Sequence, residues 1–182
     1  HSTFDGRIHT TFIQTGAATG RFASTNPNMQ NIPVKGEVGK ALRECFVASP
    51  GKILIASDYS QIELRVAGIL SGDPYLVETY EKGEDIHTMV AKRMFHKDEI
   101  SKDERNAAKA MNFGIFYGMG VNSIKNSLKV ERNVAQAFYD SYTQALSVLM
   151  KYLKETVSKT KDMGYTETIY GRQRQVGELF SN

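Results

Sequence analysis

The sequence predicts an α+β chain, because strand-like runs lie near both ends, helical patterns dominate from Gln61 onward, and a polar glycine-rich segment separates the first two strand-like runs. RIHTTFIQT (7–15) and KILIAS (52–57) are short runs of β-branched and apolar residues, the second bounded by Pro50-Gly51 and by Asp58. Between them, QTGAATGRFASTNPNMQNIP (14–33) is too rich in Gly, Thr, Ser, Asn and Gln for a regular buried element; it reads as a polar loop, ordered or disordered. Asp73 and Pro74 suit the N-cap and first position of a short helix ending near Gly83, and Asp85 caps the next, through Phe95. Ser101-Lys102-Asp103-Glu104 matches a capping box that opens a helix to about Gly118. From roughly 131 to 162, Val134, Phe138, Tyr142, Leu146, Leu149 and Leu153 recur at helical spacing, with Ser147 marking a bend or break and Gly164 the end. YTETIYGRQRQV (165–176) returns to alternation around Gly171, as a hairpin or a turn followed by a new strand.

At 182 residues the chain is long enough for one sizeable core or two small lobes. Hydrophobic residues at 41% and charged residues at 24% argue against disorder. No apolar run approaches the roughly 20 residues a bilayer crossing requires, which argues against a membrane partner. The start has neither an initiator methionine nor the blocks of a secretory signal, so the chain reads as a fragment or a processed product. A solitary Cys45 fits a reducing, cytoplasmic setting. A net charge of +3 leans only weakly toward an anionic partner.

The helix opened by Ser101 carries the chemistry. Arg105, Lys109, Phe113 and Tyr117 recur every four residues, forming one stripe about 18 Å long at 1.5 Å per residue. Cations near its N-terminus and rings near its C-terminus suit a nucleotide laid along it, phosphates first and base last. The competing reading is a solvated Arg/Lys face that merges into a buried Phe/Tyr face. Gly114, Gly118 and Gly120 weaken a helix, so close approach by a backbone or a ligand would explain them. Asp58, where KILIAS gives way to SQIELR, is either a metal ligand presented at a strand end or a turn residue. Ser60-Gln61-Ile62-Glu63 can itself be read as a capping box.

DYSQIELR (58–65) followed by RNAAKAMNFGIFYG (105–118) resembles the A and B motifs of family A DNA polymerases. The loop at 14–33, DIHT (85–88) and YGRQRQ (170–175) are similar to that family in the same chain order. The resemblance implies part of a right-hand architecture: a partial antiparallel palm sheet with a helical fingers subdomain. Residues 1–60 would be a palm segment, 61–164 mainly fingers, and 165–182 the return to the palm. It implies DNA-directed DNA synthesis, in which a primer 3′-hydroxyl attacks the α-phosphorus of a deoxynucleoside triphosphate and two Mg²⁺ ions assist.

By the same resemblance, Asp58 and the backbone carbonyl of Tyr59 are Mg²⁺ ligands, and Arg105 and Lys109 hold the triphosphate and stabilise the leaving group. His87 is similar to a further phosphate contact, against the structural role that a single helical His ordinarily has. Phe113 would pack on the incoming nucleotide, Tyr117 would occupy the template position, and Glu63 would form the sugar gate, with Gln61 beside it at the nucleotide. Arg21 resembles the minor-groove contact at the primer end, where every base pair offers acceptors. Gln30 and Asn31 could donate there too, and Arg172 and Arg174 could meet phosphate or template, unless they belong to turns and a solvated hairpin.

The family's third motif, a valine-histidine-aspartate-glutamate hairpin with the second metal-bridging aspartate, is expected beyond Asn182. A C-terminal palm segment, in cis or in trans, joins primer-template DNA and deoxynucleoside triphosphates as an expected partner. The alternatives are a non-catalytic DNA- or nucleotide-binding remnant and an interaction domain with a fortuitous basic helix.

Overall fold

A computed structural model of the chain describes residues 5–33 and 36–176. They fall into two compact units, one made of the residues up to Asp58 together with those from Met163 onward, the other of Tyr59–Asp162. Helices and small antiparallel sheets are mixed, as an α+β chain requires.

In the first unit, β1 (Thr11–Ile13) pairs antiparallel with β2 (Ala23–Thr25), with Phe12 opposite Ser24. Only part of the run 7–15 is strand, and its partner lies inside the segment expected to be a loop. That segment is ordered by its own polar groups. The buried Ser24 hydroxyl donates to Asn28 Oδ1 (2.9 Å) and accepts from the amides of Met29 (3.0 Å) and Gln30 (3.2 Å), while Gln30 Nε2 donates to the Phe22 carbonyl (3.0 Å).

A helix, α1 (Gly36–Glu44), also occupies the region expected to be strand and loop. Gly36 and Gly39 depress its propensity, but Glu37 in the first turn and Arg43 in the last complement its dipole. KILIAS does not form the expected strand. The described sheets are β1-β2 and a hairpin of β3 (Tyr165–Glu167) with β4 (Gln173–Gln175), and residues 52–58 join neither. Ile53, Leu54 and Ile55 are 66–83% exposed, so the run has the apolar content of a central strand without a neighbour among the described residues to bury it. The hairpin turns at Gly171, whose φ of 80° is one that glycine adopts without steric cost.

The second unit is helical: α2 (Ile62–Ser71), α3 (Pro74–Glu81), α4 (Ile86–Phe95), α5 (Lys102–Phe116), α6 (Val121–Leu128), α7 (Arg132–Ala145) and α8 (Ser147–Met163). Its core joins Leu64 and Ala67 of α2, Leu76 of α3, Val90 and Met94 of α4, Met111 and Ile115 of α5, Ile124 of α6, and Tyr142, Leu146 and Leu149. The expected break falls at Leu146, which leaves helical geometry (φ −118°, ψ 47°) while staying fully buried. Helix α6 gave no sequence signal, since Asn and Ser dominate it and only Ile124 is fully buried. Asp73 links helices distant in the chain. Its Oδ1 accepts from the amides of Tyr75 (3.1 Å) and Leu76 (3.2 Å) at the start of α3, and its Oδ2 from the Leu149 amide (3.1 Å) at the start of α8.

Candidate functional site

Helix α5 is opened by the expected capping box. Ser101 Oγ accepts from the Glu104 amide (3.3 Å) and Glu104 Oε2 accepts from the Ser101 amide (2.9 Å). Lys97 adds an ion pair to Glu104 (2.6 Å), and these donors hold the Glu104 carboxyl down at about 2. Thus anchored, α5 buries Ala108, Met111, Asn112 and Ile115 and leaves Arg105, Lys109, Phe113 and Tyr117 on its outer side. Phe113 is 38% and Tyr117 64% exposed, which disposes of the reading in which the rings are core. Tyr117 is the C-cap, and Gly118, at φ 86°, ends the helix. Gly114 is approached by the Met119 side chain, where a Cβ would lie 2.5 Å from the sulfur; no such neighbour explains Gly120.

The two cations of the stripe differ. Arg105 donates from Nε to Asp85 Oδ2 (2.7 Å) and from Nη2 to Asp85 Oδ1 (3.0 Å). Burial alone would raise the Asp85 carboxyl, but Arg105 and the hydroxyl and amide of Thr88 hold it well below the usual carboxylate range. Lys109 is exposed and makes no ion pair with a carboxylate among the described residues. Its charge is therefore the less compensated of the two.

His87, in the first turn of α4, is 2% exposed. Its Nδ1 lies 2.8 Å from Asn112 Nδ2, and its ring is 5.9 Å from that of Phe113. Burial pushes the imidazole toward its neutral form, Arg105 and Lys109 push the same way, and Asp85 opposes them. The ring is thus in electrostatic reach of both α5 cations.

At the start of α2, the capping box read from Ser60 to Glu63 does not form. The N-cap is Gln61, in left-handed conformation (φ 56°), and its side chain makes no cap bond. Gln61 Oε1 instead lies 3.5 Å from the Tyr80 hydroxyl. Arg65 stacks over the Tyr80 ring at 4.3 Å and donates to the Ser60 carbonyl (3.0 Å), and burial raises the Tyr80 hydroxyl to about 12. Glu63 is half-buried in the first turn of α2, and Tyr59 is 78% exposed.

In the other unit, Asp58 is exposed after a run that forms no ladder, so it is not held at a strand end as expected. Among the described residues no three His, Cys, Asp or Glu side chains gather as a metal site. Asp58 and the Tyr59 carbonyl still suit Mg²⁺, a hard cation commonly held by one or two carboxylates together with substrate phosphates. Arg172 packs against Gly20, where a Cβ would collide with its guanidinium, bringing the β3-β4 hairpin to the Thr-Gly-Arg turn that bears Arg21. Gln30 Nε2 is engaged within its loop, whereas Asn31 and Arg174 are exposed.

Residues 1–182 match the family model described as DNA polymerase family A. The chain belongs to DNA polymerase family A. DNA polymerase I, thermostable, of Thermus filiformis is 44% identical over 178 residues, covering 97% of this chain and 21% of the relative. DNA polymerase I of Deinococcus radiodurans is 42% identical over 178 residues, covering 97% of this chain and 19% of the relative. This family A chain therefore spans about a fifth of the length of the curated relatives it matches. A solved structure, the POL domain of Pol1 from M. smegmatis in complex with DNA primer-template and dNTP, superposes with a TM-score of 0.87 at 41% identity, covering 98% of this chain and 32% of that one.

Two residues around the candidate site escaped sequence reasoning in their present roles. Asp85 was legible as a cap and not as the partner of Arg105; Asn112 gave no signal. Each acts across 20 or more residues, beyond the reach of helical periodicity.

Proposed function

We propose that this chain receives the incoming deoxynucleoside triphosphate and contacts the primer terminus during template-directed DNA synthesis by a family A polymerase. The observation that carries this reading is the exposed α5 stripe, with Arg105 and Lys109 at one end and Phe113 and Tyr117 at the other. Phosphates seek fixed cations and bases seek flat rings, so the stripe matches a nucleotide in order as well as in kind.

In this reading residues 1–60 and 165–182 belong to a palm and 61–164 to fingers. Lys109 meets the triphosphate with a largely uncompensated charge, and Arg105 does so through donors that Asp85 leaves over, chiefly Nη1. These cations offset the negative charge that grows on the departing pyrophosphate as the primer 3′-hydroxyl attacks the α-phosphorus. His87 donates a hydrogen bond to the phosphates, Phe113 packs on sugar and base, Tyr117 stands at the template position, and Gln61 and Glu63 line the sugar, with Glu63 excluding a 2′-hydroxyl. Asp58 and the Tyr59 carbonyl would hold Mg²⁺, which when bound polarises the attacking and leaving oxygens. Arg21, Gln30, Asn31, Arg172 and Arg174 contact primer-template DNA, the arginines through positions that do not depend on sequence.

Primer extension tests the reading. The 182 residues alone should not extend a primer, since Asp58 is one carboxylate where two divalent cations need more, and extension should appear once a C-terminal palm segment is supplied in cis or in trans. Extension by the 182 residues alone would contradict the need for a further carboxylate, and extension by the completed protein that survives Asp58→Ala would contradict the reading itself.

A further inference from the structure

We infer that Asn112 is a positioning residue that fixes His87 as the neutral tautomer carrying its proton on Nε2, and so sets how strongly His87 holds the nucleotide phosphates. The inference rests on the proposed phosphate contact of His87, and goes beyond it by naming what governs that contact.

Asn112 is fully buried on α5, so its amide finds no bulk water, and His87 is 2% exposed on α4, its Nε2 not being among the fully buried unpartnered atoms. Their single hydrogen bond joins Asn112 Nδ2 to His87 Nδ1 at 2.8 Å. An amide nitrogen only donates, so Nδ1 must be an acceptor and the ring proton must sit on Nε2. Turning the amide over would present Oδ1 to Nδ1 and select the opposite tautomer, so the amide's other contacts decide between the two.

Asn112 Oδ1 has no partner among the described residues. In the observed orientation one N–H is bonded, and the carbonyl and the other N–H are left over. In the reversed one the carbonyl is bonded and both N–H groups are buried without acceptors. A buried orphan carbonyl is tolerated better than orphan N–H groups, so the observed orientation is preferred. The charged groups acting on the ring are Asp85 on its own element and Arg105 and Lys109 on α5. Burial, the largest influence, together with the two α5 cations outweighs Asp85 and favours the neutral imidazole, with Nε2–H its one donor. A phosphate oxygen accepts from that donor, and could not be bound by an unprotonated Nε2.

Histidine ¹⁵N resonances of the unliganded chain read the tautomer directly. The expected result is a pyridine-like Nδ1 and a pyrrole-like Nε2 for His87 near neutral pH; the reverse overturns the inference without any variant. Asn112→Asp places an acceptor against Nδ1, which should protonate that nitrogen and raise the imidazole's titration point. In a polymerase containing this chain, the same substitution should make the KM for a deoxynucleoside triphosphate pH-dependent between about pH 6 and 8, with a change of roughly tenfold, the scale of one charge-assisted hydrogen bond. The affinity for primer-template should stay as it was. His87→Ala separates the two failures. If it leaves KM unchanged, the phosphate contact itself is wrong. If it raises KM while Asn112→Asp alters neither tautomer nor KM profile, the contact stands and the positioning role is overturned.

Discussion

Arg105 holds both carboxylate oxygens of Asp85, at 2.7 and 3.0 Å, while the same carboxylate caps α4 by accepting from the Thr88 amide at 3.0 Å. One acidic side chain thus starts one helix and restrains a cation on the next. Arg105 is thereby held in place, which on the proposed function would lower the entropy lost on binding a nucleotide.

A double-mutant cycle with Asp85→Asn and Arg105→Gln, followed by urea unfolding, should return a coupling energy of about 1 kcal/mol. The pair is partly exposed, which puts it near the top of the range for surface pairs, where two-point geometry counts most. Additive effects of the two substitutions would show that the pair adds nothing to stability.

Asp73→Ala should destabilise the helical unit by about 2–4 kcal/mol, because three amides at the starts of α3 and α8 lose their acceptor in a site that is 2% exposed. Asp73→Asn, which retains one acceptor oxygen, should cost less. Equal losses from the two would argue that the carboxylate's two-sided bonding is unimportant.

Stability should fall in two stages on acidification. His87 is held below its ordinary value of 6.5, so the unfolded chain takes up that proton first. Its contribution is complete above about pH 6.5 and is lost as pH falls toward the lowered folded value. Asp85 is likewise held below its ordinary 3.8, so its contribution is complete above that pH and is lost below it. Thermal unfolding measured against pH should show both slopes. His87→Gln should flatten the first and Asp85→Asn the second, and a variant curve parallel to the wild type in either window would refute the assignment.

Glu63→Ala should ease ribonucleotide entry in a polymerase containing this chain, because the proposed obstacle is the space that the side chain fills. Unchanged sugar discrimination in single-nucleotide incorporation would reduce Glu63 to an ordinary first-turn residue of α2.

What was legible in the sequence is what depends on neighbours in the chain. The Ser101 and Glu104 box, the Asp73 cap, the break beside Ser147 and the turn at Gly171 each follow from a few adjacent residues. So does the α5 stripe, since four-residue spacing fixes which side chains share a face. The partners of those side chains did not follow. Asp85 reaches Arg105, Asn112 reaches His87 and Arg172 reaches Gly20 only because separate elements pack together. Strand formation failed for a related reason: KILIAS has strand composition, but a strand exists only with a neighbour, and the described residues offer it none. Glycines concealed α1, and Ser24 ordered a segment whose composition is equally that of a disordered one.

Single-nucleotide incorporation by Lys109→Ala, set beside its affinity for primer-template, bears most directly on the proposal that the α5 stripe handles the triphosphate. In a polymerase containing this chain, the substitution should slow incorporation about a hundredfold, near 3 kcal/mol of transition-state stabilisation, while DNA affinity changes little. Equal losses of incorporation and DNA affinity would show that Lys109 only holds nucleic acid, and the stripe would no longer be a nucleotide site.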